Sequence, residues 1–271
     1  MNGTFAGKIA VVTGGTQGLG ETTARLFAER GAAGLVICGR NAARGEAVAA
    51  ELTAGGCQSL FVAADLADME ACRSVIAAAD AAFGRVDHLI NCAAITDRGT
   101  ILDTSPELFD RMFAINVRAP YFLIQDAVKL MIRDKTEGSI VNILSMSGLG
   151  GQPFISAYSA SKGALEVVTK NTAFSLMRNR IRVNGLNIGW MNSPGEHAIQ
   201  KREHDAPDDW LEAATAGMPL GRLLETAEVA RSIAFLASAE SGLMTGSIIN
   251  MDQSVDGCYD DPPRPATAMA L

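Results

Sequence analysis

The sequence predicts an α/β fold: a single doubly wound, Rossmann-type parallel sheet of about seven strands with helices on both faces. Three observations carry this. Short apolar runs alternate with amphipathic stretches, the runs are near-continuous in Val, Ile and Leu as strands buried on both faces should be, and the first run opens directly into a glycine-rich loop. With 271 residues and 48% hydrophobic content, the chain can bury a large core.

The first run, KIAVVT (Lys8 to Thr13), leads into TGGTQGLG and then an amphipathic stretch that stops at Gly31, a helix C-terminal glycine. LVIC (Leu35 to Cys38) precedes a helix over 41–54, SLFVAA (Ser59 to Ala64) precedes one over 68–83, and VDHLIN (Val86 to Asn91) precedes one after Pro106. SIVNIL (Ser139 to Leu144) is followed by a helix from about Ala157 to Met177. IRVNGLNI (Ile181 to Ile188) and GSIINM (Gly246 to Met251) complete seven strands. Residues 1–257 read as one dinucleotide-binding catalytic domain.

Two segments break the rhythm. Residues 190–220 are polar, hold both tryptophans and two of the three histidines, and read as a lid or binding loop. The tail 258–271 (CYDDPPRPATAMAL) is too rich in Pro and Asp to pack a core, and reads as mobile or draped on a neighbouring subunit.

A formal charge of −7 with no dense Lys/Arg cluster argues against a nucleic-acid surface or a polybasic membrane patch and leaves a small-molecule substrate as the expected partner. Five cysteines without CxxC spacing suit reduced thiols and a cytoplasmic location. The opening MNGTFAGK lacks the pattern of an export signal, and no stretch approaches 18 uninterrupted apolar residues, so no membrane span is expected.

Gly14, Gly18 and Gly20 lie where a strand gives way to a helix. There, backbone amides and the helix dipole can cradle a pyrophosphate, although the spacing also suits a purely structural turn. Dinucleotide sites place an Asp or Glu about 20 residues on to hold the adenosine ribose. Here that place holds Gly39 and Arg40, with Arg44 one helical turn further. A guanidinium suits a 2′-phosphate, which favours NADP over NAD; the alternative is a solvated Arg40 and a site open to NAD. Asp65 stands either as an acceptor for the adenine amino group or as the cap of the next helix.

In YSASK, Tyr158 and Lys162 share a helix face at i, i+4. A phenol must fall about three units from its reference pKa near 10 to exchange protons at neutrality, and a neighbouring ammonium is expected to favour that drop. Ser145 follows the strand SIVNIL at the carboxyl edge of the sheet, where open α/β folds bind ligands. Ser147 is a second hydroxyl nearby.

In order along residues 5 to about 255, TGGTQGLG, NCAA, Asn116 in INV, Ser145, YSASK and the Ile188-Gly189 turn resemble the short-chain dehydrogenase/reductase pattern. The resemblance implies that Ser145 orients the substrate oxygen, Tyr158 is the acid/base, Lys162 grips the nicotinamide ribose and Asn116 holds a proton-relay water. It makes cofactor contacts of Gly14, Thr16, Gln17, Gly18, Leu19, Gly20, Arg40, Asp65, Leu66, Asn91, Tyr158, Lys162, Gly189 and Ser193. Three positions depart from the family: Ala94 replaces a glycine in NNAG, Ile188-Gly189 replaces Pro-Gly, and Ser193 replaces a Thr that contacts the carboxamide. The resemblance also implies a homo-oligomer, tetramer or dimer, paired through the helix near Pro106 and the helix carrying Tyr158.

Around the expected active site, Trp190, Met191, His197, His204 and Trp210 come with Glu196, Glu203, Asp205, Asp208 and Asp209. Ser147, Trp190 and His197 are substrate candidates, and a sugar or polyol would suit them; alternatively the tryptophans pack the lid down and the charges face water. No metal is expected, because His197 and His204 lack ligand spacing and hydride transfer by this residue set needs none. The activity expected is reversible NADP(H)- or NAD(H)-dependent hydride transfer between a secondary alcohol and a ketone. A non-catalytic NADP(H) sensor and an epimerase or dehydratase using bound dinucleotide are the alternatives.

Overall fold

The computed structural model describes residues 3–258 and residue 269, so the predicted tail lies outside the described residues except for Cys258 and Met269. The elements follow the alternation read from the sequence. They are β1 (Ile9–Thr13), α1 (Gly18–Glu29), β2 (Gly34–Gly39), α2 (Ala42–Ala54), β3 (Gln58–Ala63), α3 (Met69–Phe83), β4 (His88–Asn91), α4 (Pro106–Phe113) and α5 (Ala119–Arg133). Then come β5 (Ser139–Ser145), α6 (Ser156–Leu176), β6 (Arg182–Ile188), β7 (Met191–Asn192), α7 (Pro194–His204), α8 (Trp210–Ala216), β8 (Leu224–Glu225), α9 (Thr226–Ala237) and β9 (Ile248–Met251).

Seven strands form one sheet in the order β3-β2-β1-β4-β5-β6-β9, and every pairing is parallel. The chain steps outward from β1 to β3, then returns to lay β4 on the other side of β1. That reversal opens a crevice beyond the carboxyl ends of β1 and β4, where ligands bind in sheets of this kind. In register, Ser145 stands beside Ile188, and Ile188 beside Met251, so the ends of β5, β6 and β9 form one rim.

The core lies on both faces. Phe27 of α1, Val48 and Leu52 of α2 and Val229 and Ile233 of α9 pack on one. Val75 and Ile76 of α3, Leu123 and Met131 of α5 and Leu176 of α6 pack on the other. A strand covered on both sides needs no polar alternation; β1 and β5 are buried at every residue.

Several details differ from the sequence reading; β9 starts at Ile248 rather than Gly246. Strand β4 starts at His88, and just before it the buried Asp87 carboxylate accepts from the Ile9 N–H and pairs with Arg85 and Lys8. A π-helical turn, Ala114–Arg118, joins α4 to α5. The 190–220 segment is no irregular loop: β7 pairs with β8, and α7 and α8 lie between them. Helix α7 starts for a legible reason, since Ser193 caps it by accepting from the Glu196 N–H at 3.2 Å and Pro194 occupies its first turn. The five cysteines are free, and no helix of the described residues is long and apolar enough to cross a membrane.

Candidate active site

A cleft of about 1370 Å³ runs along the carboxyl rim of the sheet, from the β1–α1 loop to α7. Gly14 and Gly18 hold positive φ there (66° and 55°). A Cβ on Gly20 would fall 2.3 Å from the Gly14 carbonyl oxygen, so only glycine lets α1 begin this close to the loop. The α1 N-cap, Gln17, makes no side-chain bond to the helix amides, and Gly18, Leu19 and Gly20 line the cleft. Unpaired amides at a helix start, in a cradle a side chain would fill, fit the pyrophosphate of a dinucleotide.

The wall beyond the loop explains why no carboxylate follows β2. A Cβ on Gly39 would lie 2.8 Å from Thr16 Cγ2, so the glycine is fixed by packing and the first side chain free to reach out is Arg40. Arg40 lines the cleft, and Arg44 on α2 donates to Gln17 Oε1 at its edge. Asp65 also lines it, but does not cap α3, a role taken by Asp68. Its Oδ1 accepts from the Ala67 N–H at 3.0 Å and its Oδ2 from Arg111 at 3.0 Å. Burial alone would raise this carboxyl; the Ala67 N–H, Arg111 and the charge of Arg40 together hold it below the usual range. Leu66 continues the wall.

At the other end, Ser145, Tyr158 and Lys162 converge on the cleft. Ser145 ends β5 and its Oγ accepts from the Ser147 N–H at 3.1 Å. Tyr158 stands in the first turn of α6, and Lys162 lies one turn on with its Nζ 5.7 Å from the Tyr158 ring centre. The ammonium expected to favour the phenolate is committed to a backbone carbonyl in this structure. Burial pushes the Tyr158 phenol up to about 12, the Ser145 hydroxyl opposing it, while Glu196 adds to the rise and Arg98 counters it. Lys162 instead donates to the Ile143 carbonyl at 2.7 Å, and burial pulls its ammonium down to about 8 against the opposing influence of Cys92.

Asn116 is fully buried in the π-helical turn and does not line the cleft. Its amide holds the backbone of the wall residue Ile95 and donates to Ser161 Oγ at 3.1 Å, which in turn donates to the Tyr158 carbonyl at 2.7 Å. Asn91, expected at the cofactor, lies off the cleft as well. Its Nδ2 donates to Asn142 Oδ1 at 2.8 Å, inside the sheet where β4 meets β5.

Gly189 lines the cleft under another close approach, because a Cβ there would overlap the Asp252 carboxylate, and its N–H donates to the Met251 carbonyl at 2.9 Å. Ala94, Ser147, Trp190 and Ser193 also line it. His197 does not: its Nδ1 accepts from Trp210 Nε1 at 3.2 Å, which leaves Nε2–H to donate to Asn192 Oδ1 at 2.9 Å. Trp190 and Trp210 stack at 6.0 Å. The tryptophans therefore pack the 190–220 segment together, with Trp190 also facing the cleft. Sequence reasoning missed Arg98 and Phe154, which line the cleft beside His204 of α7 with the guanidinium 5.5 Å from the ring centre. Neither lies in a motif that would have marked it.

A family model described as enoyl-(acyl carrier protein) reductase matches residues 14–255. A solved structure titled short chain dehydrogenase/reductase family protein is 37% identical, with a TM-score of 0.79 over 93% of this chain and 98% of its own. The 2,5-dichloro-2,5-cyclohexadiene-1,4-diol dehydrogenase LinX of Sphingobium indicum is 34% identical over 95% of this chain and 98% of its own. The L-sorbose reductase of Gluconobacter frateurii, solved with NADPH and L-sorbose, is 26% identical with a TM-score of 0.87, over 96% of this chain and all of its own. The chain belongs to the short-chain dehydrogenase/reductase family. It is an NAD(P)-dependent oxidoreductase that transfers hydride between an alcohol and a ketone.

Proposed function

We propose that the protein interconverts a secondary alcohol and its ketone on a neutral, hydroxylated substrate, a sugar, polyol or ring diol, with NADP(H) preferred over NAD(H). The observation that carries this is the convergence of Ser145, Tyr158 and Lys162 on one cleft whose far end is the α1 amide cradle with Arg40 beside it.

The bound dinucleotide supplies the hydride donor or acceptor. The α1 amides with Gly14, Thr16, Gln17, Gly18, Leu19 and Gly20 hold its pyrophosphate, Arg40 its 2′-phosphate, Asp65 and Leu66 its adenine, and Gly189, Ser193 and Lys162 its nicotinamide end. A protonated phenol is what ketone reduction needs. At about 12 Tyr158 carries its proton at every physiological pH, and it delivers it to the substrate oxygen that Ser145 orients by hydrogen bonding. In oxidation the phenol must first lose that proton, so this direction calls for higher pH or added positive charge nearby. Asn116 acts through Ile95 and Ser161, fixing the wall and the turn that carries Tyr158. Asn91 and His197 are left without a direct contact.

We place the enzyme in the cytoplasm as a homo-oligomer. Titration with NADPH and NADH, followed by a screen of sugars, polyols, cyclic diols and simple ketones, tests the reading. Saturable NADPH binding with turnover of hydroxylated substrates is expected, and turnover of apolar ketones alone would overturn it.

A further inference from the structure

In the cleft that holds Tyr158, two charged side chains approach each other without forming a hydrogen bond. Arg98, on the segment after β4, donates from Nη1 to the Thr96 carbonyl at 2.9 Å and from Nε to His204 Nε2 at 3.0 Å, with Phe154 beneath the guanidinium. Glu196, in the first turn of α7, accepts from Trp190 Nε1 and Gln200 Nε2, both at 2.8 Å and both at Oε1. The two groups are therefore held from behind, each only 17% exposed at its side chain, and the approach of Arg98 Nη2 to Glu196 Oε1 stops at 3.9 Å. That is too long for a hydrogen bond. Among the described residues, no hydrogen bond reaches Glu196 Oε2 or leaves Arg98 Nη2.

Both unused atoms belong to half-buried residues that line the cleft and are open to it, so a donor and an acceptor are presented side by side to whatever enters. Both side chains line the cleft that also holds Ser145, Tyr158 and Lys162. Asp97, the other carboxylate on this wall, is taken by Arg202 at 3.0 Å. The pairing leaves this end of the cleft near neutral. A substrate carboxylate at Arg98 would meet Glu196 within about 4 Å and be repelled. A hydroxyl meets no such conflict, since it can accept from Nη2 and donate to Oε2 at once.

We propose that Arg98 and Glu196 form a subsite for a second hydroxyl of the substrate, one that does not react, and so select neutral diols and polyols over mono-alcohols and over hydroxy acids. This rests on the substrate class proposed above and assigns it to two side chains.

The test is titration of tryptophan fluorescence, since Trp190 bonds to Glu196. The enzyme with NADP⁺ is titrated with cyclohexanol, the cyclohexane-1,2-, -1,3- and -1,4-diols, and 4-hydroxycyclohexanecarboxylate. At least one diol should bind ten-fold or more tightly than cyclohexanol, because a charged partner lost from one hydrogen bond is worth about 1.5–3 kcal/mol. Glu196→Gln and Arg98→Gln should each cut that preference about ten-fold, and the double variant should lose little more than either single one. Arg98→Lys, which keeps the charge and loses the planar fork, should fall between.

Equal weakening of diols and cyclohexanol in the variants would show a purely structural pair and overturn the inference. Tighter binding of the hydroxy acid than of any diol, tighter still in Glu196→Gln, would overturn it in favour of an anion site. Turnover of polyols with an unchanged preference in the variants would sink this inference alone. A wild type with no diol preference and no polyol turnover would sink the proposed substrate class with it.

Discussion

Asn116 holds the Ile95 peptide on both sides, its Oδ1 accepting from the Ile95 N–H and its Nδ2 donating to the Ile95 carbonyl, each at 2.9 Å. One buried amide thus replaces the pairing that a strand would have given a cleft-wall residue. Asn116→Ala leaves two backbone groups without a partner, and at about 1–3 kcal/mol for a buried unsatisfied group the expected loss of stability is about 2 kcal/mol or more. Urea denaturation reads that loss, and kcat should fall with it because Ile95 and the Tyr158 turn shift together.

Lys162 carries a cost in the fold. The residue is 3% exposed and its ammonium sits at about 8 rather than the usual 10.5, so burying the charge costs about 3 kcal/mol at pH 7. Because the folded value lies below the unfolded one, the unfolded chain binds more protons between about pH 8 and 10.5, and stability rises with pH across that window. Lys162→Met should abolish that rise. It should also leave the protein as stable as wild type or more so at pH 7, the gain being reduced by the Ile143 carbonyl left behind, while activity collapses. Melting curves from pH 7 to 10.5 check both.

His88 titrates in the opposite part of the scale. Its Nδ1 bonds to Ser139 Oγ at 2.8 Å, its ring meets Phe5 edge-on, and burial pulls it down to about 4. The neutral ring is favoured in the fold, so stability is complete above the unfolded value near 6.5 and is lost as pH falls from there towards 4, by about 3 kcal/mol. The difference between wild type and His88→Phe, measured by denaturation from pH 7 to 4.5, should show that slope in the wild type only.

Arg40→Ala should raise the KM for NADPH at least ten-fold and that for NADH less than three-fold, since a hydrogen bond to a charged phosphate is worth about 1.5–3 kcal/mol. Equal effects on the two cofactors would remove Arg40 from the 2′-phosphate. Gly39→Asp alone should not convert the enzyme to NAD, because Thr16 fills the space its Cβ requires.

The parts legible beforehand are those encoded in local spacing. Apolar runs marked seven strands, the glycines marked the α1 cradle, and the i, i+4 interval put Tyr158 and Lys162 on one face. Interactions between distant segments were not legible. Nothing local marks Arg98 and Glu196 as neighbours, or sets Asn91 against Asn142 rather than the cleft. Proximity to Tyr158 in sequence also does not reveal that the Lys162 ammonium is committed to Ile143. Helix α7 was the avoidable miss: Ser193, Pro194 and Glu196 spell a helix start, but the polarity of the segment read as loop.

The most direct test is single-turnover NADPH oxidation by Tyr158→Phe on a ketone accepted by the wild type, with NADPH affinity measured in parallel. The account predicts a hydride-transfer rate at least 10²-fold lower, the lower end of a general-acid contribution, with the NADPH Kd within about three-fold. A variant that keeps more than a tenth of the wild-type rate, with normal folding and cofactor binding, would contradict it.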